Sequence, residues 1–280
     1  MRTASFPDQN RPDRAVISMR GENVLAFLNN LLTCEVGNLP EGQAAYGALL
    51  SPQGKILHDM FVYNTGFSIV LDCALDQRAA LVQKLALYRL RAKLMIELDN
   101  DLEVGVHAER PEETLAFPDP RSEMLGWRSF APSGTYINVP GSHGYDECRI
   151  GLGLADSVQD MGVEKLFPHE VNFDQMPAVS FTKGCYVGQE VVSRMQHRGT
   201  ARSRMLPVTA GQILKQHASI TSNGKTIGEV LSSAGNSAVA LIRIDRLAEA
   251  TAPLMSESVQ VKITVPPWVK YAVSIPDACR

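Results

Sequence analysis

Short apolar runs closed by tight turns set the strongest limit on what this chain can fold into. Residues 44–50, 55–63 and 67–71 read as strands, joined by Ser51-Pro52-Gln53-Gly54 and by Asn64-Thr65-Gly66. Turns this short connect antiparallel neighbours, because a parallel pair needs a crossover of a dozen or more residues. A strand over 14–19 precedes them, followed by a helix over roughly 22–32 whose apolar residues Val24, Phe27, Leu28 and Leu31 fall on helical spacing. Asp76 is placed to cap a second helix carrying Leu81, Leu85 and Tyr88, which ends in the basic turn Arg89-Leu90-Arg91-Ala92-Lys93. Strands over 94–98 and 102–107 come next. Hairpins with helices between them imply an α+β layering and not a run of β-α-β units.

Downstream, 109–122 is rich in Pro, Glu and Asp and reads as a connector. Strands are expected near 125–130 and 145–150, partial helix over 156–170, and irregular chain to Ser180. Beyond Arg204 the texture changes to short apolar runs separated by Gly, Ser and Asn, with Ser222-Asn223-Gly224-Lys225 suited to a two-residue hairpin turn. A small β-barrel or sandwich is expected there. The boundaries predicted are 1–108 for an N-terminal α+β domain, 109–204 for a second α+β domain, and 205–280 for the barrel.

The formal net charge of −3 supplies no global basic field, so direct nucleic-acid binding is not expected. Five cysteines, Cys34, Cys73, Cys148, Cys185 and Cys279, are odd in number, widely spaced and without a C-x-x-C pair. That pattern argues against a disulfide framework, a local zinc site or a local cluster-binding run, and it fits a reducing compartment. Residues 1–14 mix Asp8 and Asp13 with three arginines; they lack the apolar stretch of a signal peptide, and their acids count against an organelle transit peptide. No run approaches the ~20 apolar residues that span a bilayer. A soluble, cytoplasmic protein is expected, and with no long exposed heptad to announce an interface, a monomer.

The densest chemistry lies in Phe181-Thr182-Lys183-Gly184-Cys185-Tyr186-Val187-Gly188-Gln189-Glu190. Two glycines let the backbone bend and bring a ligand close to the main chain. The residues after Gly188 open a helix, so Cys185 is expected near a helix N-terminus, Lys183 and the cations Arg194, His197 and Arg198, all of which favour a thiolate. The same residues also suit a glycine turn around an inert cysteine. The segment is no P-loop, since Gly-Lys-Ser/Thr is absent. Arg149-Ile150-Gly151-Leu152-Gly153 lacks the third glycine and the β-α-β setting of a dinucleotide fingerprint. Arg194, His197, Arg198, Arg202 and Arg204 suit either an anionic ligand or a solvated edge.

Lys183-Gly184-Cys185-Tyr186-x-Gly188-Gln189-Glu190 resembles the signature of the YgfZ-type proteins, whose mitochondrial members assist iron–sulfur assembly. Flanking text agrees: Phe167-Pro168-His169-Glu170-Val171-Asn172-Phe173-Asp174 upstream, Phe27-Leu28-Asn29-Asn30-Leu31-Leu32-Thr33 near the start, and Gly224-Lys225-Thr226-Ile227-Gly228-Glu229-Val230 in the tail. The resemblance implies a tripartite fold like that of the glycine-cleavage aminomethyltransferase, with a small C-terminal β-barrel and a bound tetrahydrofolate or derivative. It implies a role for Cys185 as the reactive thiol and for Glu170 as the carboxylate that grips the pterin, whose N–H-rich edge a carboxylate satisfies in a fork. Asn172, Lys183, Tyr186, Gly188, Gln189, Glu190 and Arg194 complete the implied folate-binding set.

Lys55-Ile56-Leu57-His58-Asp59-Met60 is similar to the segment that carries the aminomethyltransferase's acid/base aspartate, with His58 in place of the first acid. Strand alternation puts His58 with Ile56 and Met60 on one face and Asp59 with Leu57 and Phe61 on the other. Asp59 is therefore the one ready acid/base. The function implied is a tetrahydrofolate-binding accessory protein that serves iron–sulfur cluster enzymes or their assembly factors. The alternatives are a folate-dependent one-carbon transferase or demethylase working through Asp59, and a folate-regulated adaptor without chemistry.

Overall fold

The computed structural model describes residues 6–112, 115–136, 144–199 and 201–279. The chain divides into two compact units, one formed by Met1–Tyr145 with Met176–Val191 and the other by Asp146–Gln175 with Val192–Arg280. In the first unit the elements run β1 (Gln9–Asn10), β2 (Arg14–Gly21), α1 (Val24–Asn29), β3 (Ala44–Leu50), β4 (Ile56–Asn64), β5 (Ile69–Ala74), α2 (Arg78–Arg89), β6 (Leu94–Asp99), β7 (Leu102–His107), β8 (Leu115–Pro118) and β9 (Trp127–Pro132). They build a five-stranded sheet of order β3-β4-β5-β2-β6 and a four-stranded sheet of order β1-β7-β9-β8. Every pairing is antiparallel.

Strand alternation gives the five-stranded sheet two unlike faces. Ile17, Met19, Leu49, Met60, Val62 and Leu71 form an apolar core with Val24 and Leu28 of α1 and Leu81 and Leu85 of α2. The other face carries Tyr46, Asp59, Phe61, Tyr63 and Asp72, all buried. Tyr63 meets Phe117 of β8 and Phe130 of β9, with ring centroids at 4.4 and 4.9 Å, so the second sheet covers this face.

Two further helices, α3 (Gly144–Gly151) and α4 (Gln189–Arg198), carry the chain from one unit into the other. The second unit holds β10 (Ser203–Ala210), β11 (Ser219–Ser222), β12 (Lys225–Ala234), β13 (Ser237–Arg243), α5 (Ile244–Ala248), β14 (Leu254–Ser256) and β15 (Val259–Ile263). Its strands close into a barrel of order β10-β13-β12-β11-β14-β15 around Leu206, Val208, Val230, Ala240, Ile242 and Leu254. The turn between β11 and β12 has Asn223 at φ 47° and Gly224 at φ 74°, the left-handed pair a two-residue hairpin needs.

Several expected elements differ. The strand expected over 145–150 is α3, with Asp146 and Glu147 in its first turn and Arg149 in its last, the charge order a helix favours. The connector contains β8, though 113–114 lie outside the described residues. Asp76 does not cap α2. A 3₁₀ turn over Leu75–Gln77 precedes that helix, and Gln77, at the capping position, bonds His58 instead. The strands expected over 94–98 and 102–107 form, but in different sheets.

Candidate functional site

The Lys183–Glu190 segment is a loop that enters α4, and its side chains alternate between inside and outside. Lys183 is half-buried, and its ammonium donates to the carbonyl oxygens of Asn29 (2.7 Å), Leu32 (2.6 Å) and Cys34 (2.6 Å). These carbonyls end α1 and the turn after it, where helical carbonyls lack intrahelical partners and a cation is favoured. Burial holds the Lys183 amine below its ordinary range, with Cys34 and Glu35 opposing. Tyr186 turns inward beside it, with the ammonium 5.0 Å from its ring centroid. Burial pushes the Tyr186 hydroxyl up to about 12, and among the described residues that hydroxyl has no hydrogen-bond partner. Val187 packs against the helix-side core.

Thr33 ties the approach to this loop into the sheet. Its hydroxyl donates to the Ala178 carbonyl at 2.6 Å and accepts from the Ala48 N–H at 2.9 Å, and its own carbonyl accepts the Ser180 N–H at 2.8 Å. Gly188, at φ 80°, lies against the Ser51–Gly54 turn. A Cβ there would stand 2.6 Å from the Ser51 carbonyl oxygen and 3.0 Å from the Leu50 Cβ. Only glycine combines that φ with that approach. Between these anchors Gly184 and Cys185 face solvent. Cys34, Cys73 and Cys279 are buried and Cys148 half-buried, so Cys185 is the fully exposed thiol of the five. Burial raises the Cys34 and Cys73 thiols to about 12, which makes them poor nucleophiles.

The remaining expected residues sit elsewhere. Gln189 and Glu190 form the first turn of α4, and Arg194 is exposed farther along it. Asp59 points to the face covered by the second sheet, where it accepts the Tyr46 hydroxyl at 2.9 Å. His58 points the other way, its Nδ1 2.7 Å from the Gln77 side-chain oxygen, and burial lowers its pKa. Glu170 and Asn172 belong to the second unit. Glu170 is half-buried, with Oε2 accepting the Phe167 N–H at 2.9 Å. Asn172 is fully buried at φ 64°. Its amide donates to the Met205 carbonyl at 2.7 Å, and its oxygen accepts the Tyr271 hydroxyl at 2.9 Å. Arg204 leaves the expected basic cluster: it is buried, bonded to Asp174 and the His169 carbonyl, and stacked 4.1 Å from the Tyr271 ring centroid.

Sequence reasoning missed the polar network around Asp59. Asp72, fully buried, accepts Arg14 Nε at 2.6 Å and Arg128 Nε at 2.9 Å through its two oxygens. Asp119 pairs with Arg121 through 3.0 and 2.7 Å bonds, and the Tyr145 hydroxyl accepts from both Arg121 and Arg128. Burial alone would raise the Asp119 carboxyl, but Arg121 and then Arg128 pull it below the ordinary range. The guanidinium carbons of Arg128 and Arg121 lie 4.1 and 4.7 Å from the Phe61 ring centroid. Among the described residues no group of three or more His, Cys, Asp or Glu is arranged to hold a metal ion.

Comparison with known proteins agrees with this architecture. Residues 202–271 match the CAF17 C-terminal β-barrel domain. The fold is shared with the glycine cleavage system aminomethyltransferase T of Bartonella henselae, with a TM-score of 0.75 over 95% of this chain and 87% of that one, at 14% identity. The human mitochondrial iron–sulfur cluster assembly factor IBA57 is 31% identical, covering 91% of this chain and 83% of the relative. The mitochondrial IBA57 homologue of Pyricularia oryzae is 30% identical over 86% of this chain and 72% of the relative. These names overturn the cytoplasmic expectation, since both relatives are mitochondrial proteins. Free thiols fit any reducing compartment, so the case against an organelle rests on the acids Asp8 and Asp13 alone, and these do not decide it. The likeness read as YgfZ-type thus resolves to a related group: with its aminomethyltransferase-like fold and its CAF17-type barrel, the chain belongs to the IBA57 family of iron–sulfur cluster assembly factors.

Proposed function

We propose that this chain is a tetrahydrofolate-binding accessory protein for the assembly, maintenance or repair of iron–sulfur cluster enzymes, and that Cys185 is the group it presents to them. The observation that carries the reading is the construction of the Cys185 loop. Lys183, Tyr186 and Val187 are turned inward and Gly188 is seated on the 51–54 turn, while Cys185 alone among the five thiols is left fully exposed. A soft sulfur ligand on a fixed backbone suits contact with iron or with a partner's cluster. A core scaffold does not need an exposed cysteine there. The names of the relatives, matched over most of the chain, point to the same class of client.

Folate rests on a narrower support. Of the residues implied for it, Lys183 and Asn172 already hold backbone carbonyls of the chain itself, which suits them to shaping the fold. Glu170 fits a pterin best, as a half-buried carboxylate steered by its own turn at Phe167. A carboxylate has about four acceptor positions, so it can hold both that turn and an N–H-bearing edge. The one-carbon transferase alternative gains nothing from the geometry: Asp59 is 5% exposed and bonded to Tyr46, under the second sheet.

Calorimetric titration with 5-formyltetrahydrofolate tests the ligand. Saturable binding weakened by Glu170→Ala is expected, and equal binding by both proteins would remove Glu170 from the site. In cells lacking the native chain, Cys185→Ser should fail to restore iron–sulfur enzyme activity while accumulating normally. Full restoration would refute the role of the thiol.

A further inference from the structure

From Gln77 to Ile96 the chain contains five cations, Arg78, Lys84, Arg89, Arg91 and Lys93, and no acid, within a protein whose net charge is −3. The C-terminal part of this stretch protrudes as the turn between α2 and β6, where Arg89, Leu90, Arg91, Ala92 and Lys93 are all exposed. Leu90 is 86% exposed, at φ 47° and ψ −109°, and the Ala92 N–H closes the turn on the Arg89 carbonyl at 2.8 Å. That is the first central position of a type II′ turn, which glycine takes without steric cost and leucine does not. Neither burial nor backbone preference explains a leucine here. An unfavoured conformation that holds an apolar side chain in solvent points to a use outside the folded chain.

The strand that follows extends the surface. β6 is an edge of the five-stranded sheet, and among the described residues no strand pairs with its other side. Met95 is 53% exposed on one face of it and Leu98 38% exposed on the other. At its start the Leu94 N–H donates to the Ala92 carbonyl and the Leu94 carbonyl accepts the Arg89 guanidinium at 3.1 Å, so the open part of the edge is at Ile96 and Leu98. Beside the turn, a cleft of about 590 Å³ runs between α1 and the end of α2, lined by Phe27, Tyr88 and the three cations against one acid, Glu22. An exposed edge with apolar side chains is a template for strand addition unless something covers it.

We infer that the α2–β6 turn and the open edge of β6 dock an extended segment of a partner polypeptide, with acidic residues meeting Arg91 and Lys93 and backbone groups pairing with Ile96 and Leu98. The backbone edge left unpaired at Ile96 and Leu98 favours a polypeptide over nucleic acid or lipid, which would use the cations but not the strand. Glu97, exposed near the far end of β6, fixes polarity: the acids of the partner lie at the Lys93 end. The argument uses neither Cys185 nor Glu170, so this inference stands without the proposed function.

The test uses the full-length protein and a fluorescent panel of short peptides, each with acids at one end followed by alternating valine and threonine. Anisotropy should show saturable binding that weakens with salt, and hydrogen exchange should show new protection of the Ile96 and Leu98 amides. Arg91→Glu with Lys93→Glu should weaken binding roughly tenfold or more. Leu90→Gly, which suits the backbone, should weaken it without lowering the melting temperature, and Cys185→Ser should leave it unchanged. The inference is overturned if no peptide in the panel binds, if lysine-led versions bind equally well, or if the Ile96 and Leu98 amides gain no protection. It also falls if phosphatidylserine vesicles or an oligonucleotide bind through Arg91 and Lys93 when the peptides do not.

Discussion

Replacing Lys183 by Met keeps the aliphatic stem and removes the ammonium that three carbonyls share. The bonds are short, 2.7, 2.6 and 2.6 Å, and reach Asn29, Leu32 and Cys34. A hydrogen bond to a charged group contributes about 1.5–3 kcal/mol. Against that stands the cost of partly burying an ammonium, several kcal/mol. The net loss expected is about 3 kcal/mol, because three acceptors lose their donor together while the stem still fills its space. For a chain of this size that corresponds to a fall of roughly 6–12 °C in melting temperature. Urea denaturation should show a lower midpoint with an unchanged slope, and hydrogen exchange should be faster over 180–188. Lys183→Arg should recover only part of the loss, since a flat guanidinium fork cannot aim three donors from one nitrogen. If Lys183→Met unfolds within about 0.5 kcal/mol of the parent, the lysine is not the anchor of this loop.

Asp72→Asn leaves the buried guanidiniums of Arg14 and Arg128 facing a neutral amide, and a loss of about 3–5 kcal/mol is expected. An unchanged urea midpoint would show that the network contributes little. Burial lowers the pKa of His58 and of His169 from the ordinary 6.5, so on acidification the unfolded chain takes up protons before the folded one. This contribution to stability is therefore full above 6.5 and is lost as the pH falls below it through the folded values. Chemical denaturation between about pH 5 and 8 should show that slope, shallower in His58→Gln, and stability that grew toward pH 5 would contradict the sign.

The local features of this fold were legible because their causes are local. A two-residue turn at Asn223-Gly224 needs only two residues with positive φ, and the sequence places residues there that tolerate it. The faces of His58 and Asp59 followed from strand alternation alone, and the structure separates them as expected. Short amphipathic pieces were harder. Six residues over 145–150 suit a strand or two turns of helix equally, and the Asp146–Arg149 pair that favours α3 is visible only once the helix is assumed. What could not be read was assembled by distance in sequence: Asp72 and Arg128 meet because two sheets stack, and no local pattern pairs residues 56 positions apart. The same holds for Lys183. Its neighbours in sequence suggested a cation for the thiol, yet its three partners come from 149 to 154 residues away.

The two sides of the five-stranded sheet then bear on the task proposed for this aminomethyltransferase-like fold. On the face under the second sheet, Asp59 stands among three arginines and the acids Asp72 and Asp119, a buried set whose formal charges balance. Such a set is built to stay fixed, because displacing one member leaves a buried charge uncompensated. A general acid needs the opposite, a proton that moves near neutral pH and a path to the substrate. On the helix side, the loop anchored through Lys183 and Val187 leaves the Cys185 thiol exposed, and the contact proposed for it asks nothing of the buried network. The charge-balanced face therefore favours rigidity and the loop favours contact, which is the division of labour expected of a protein that meets its client at the surface.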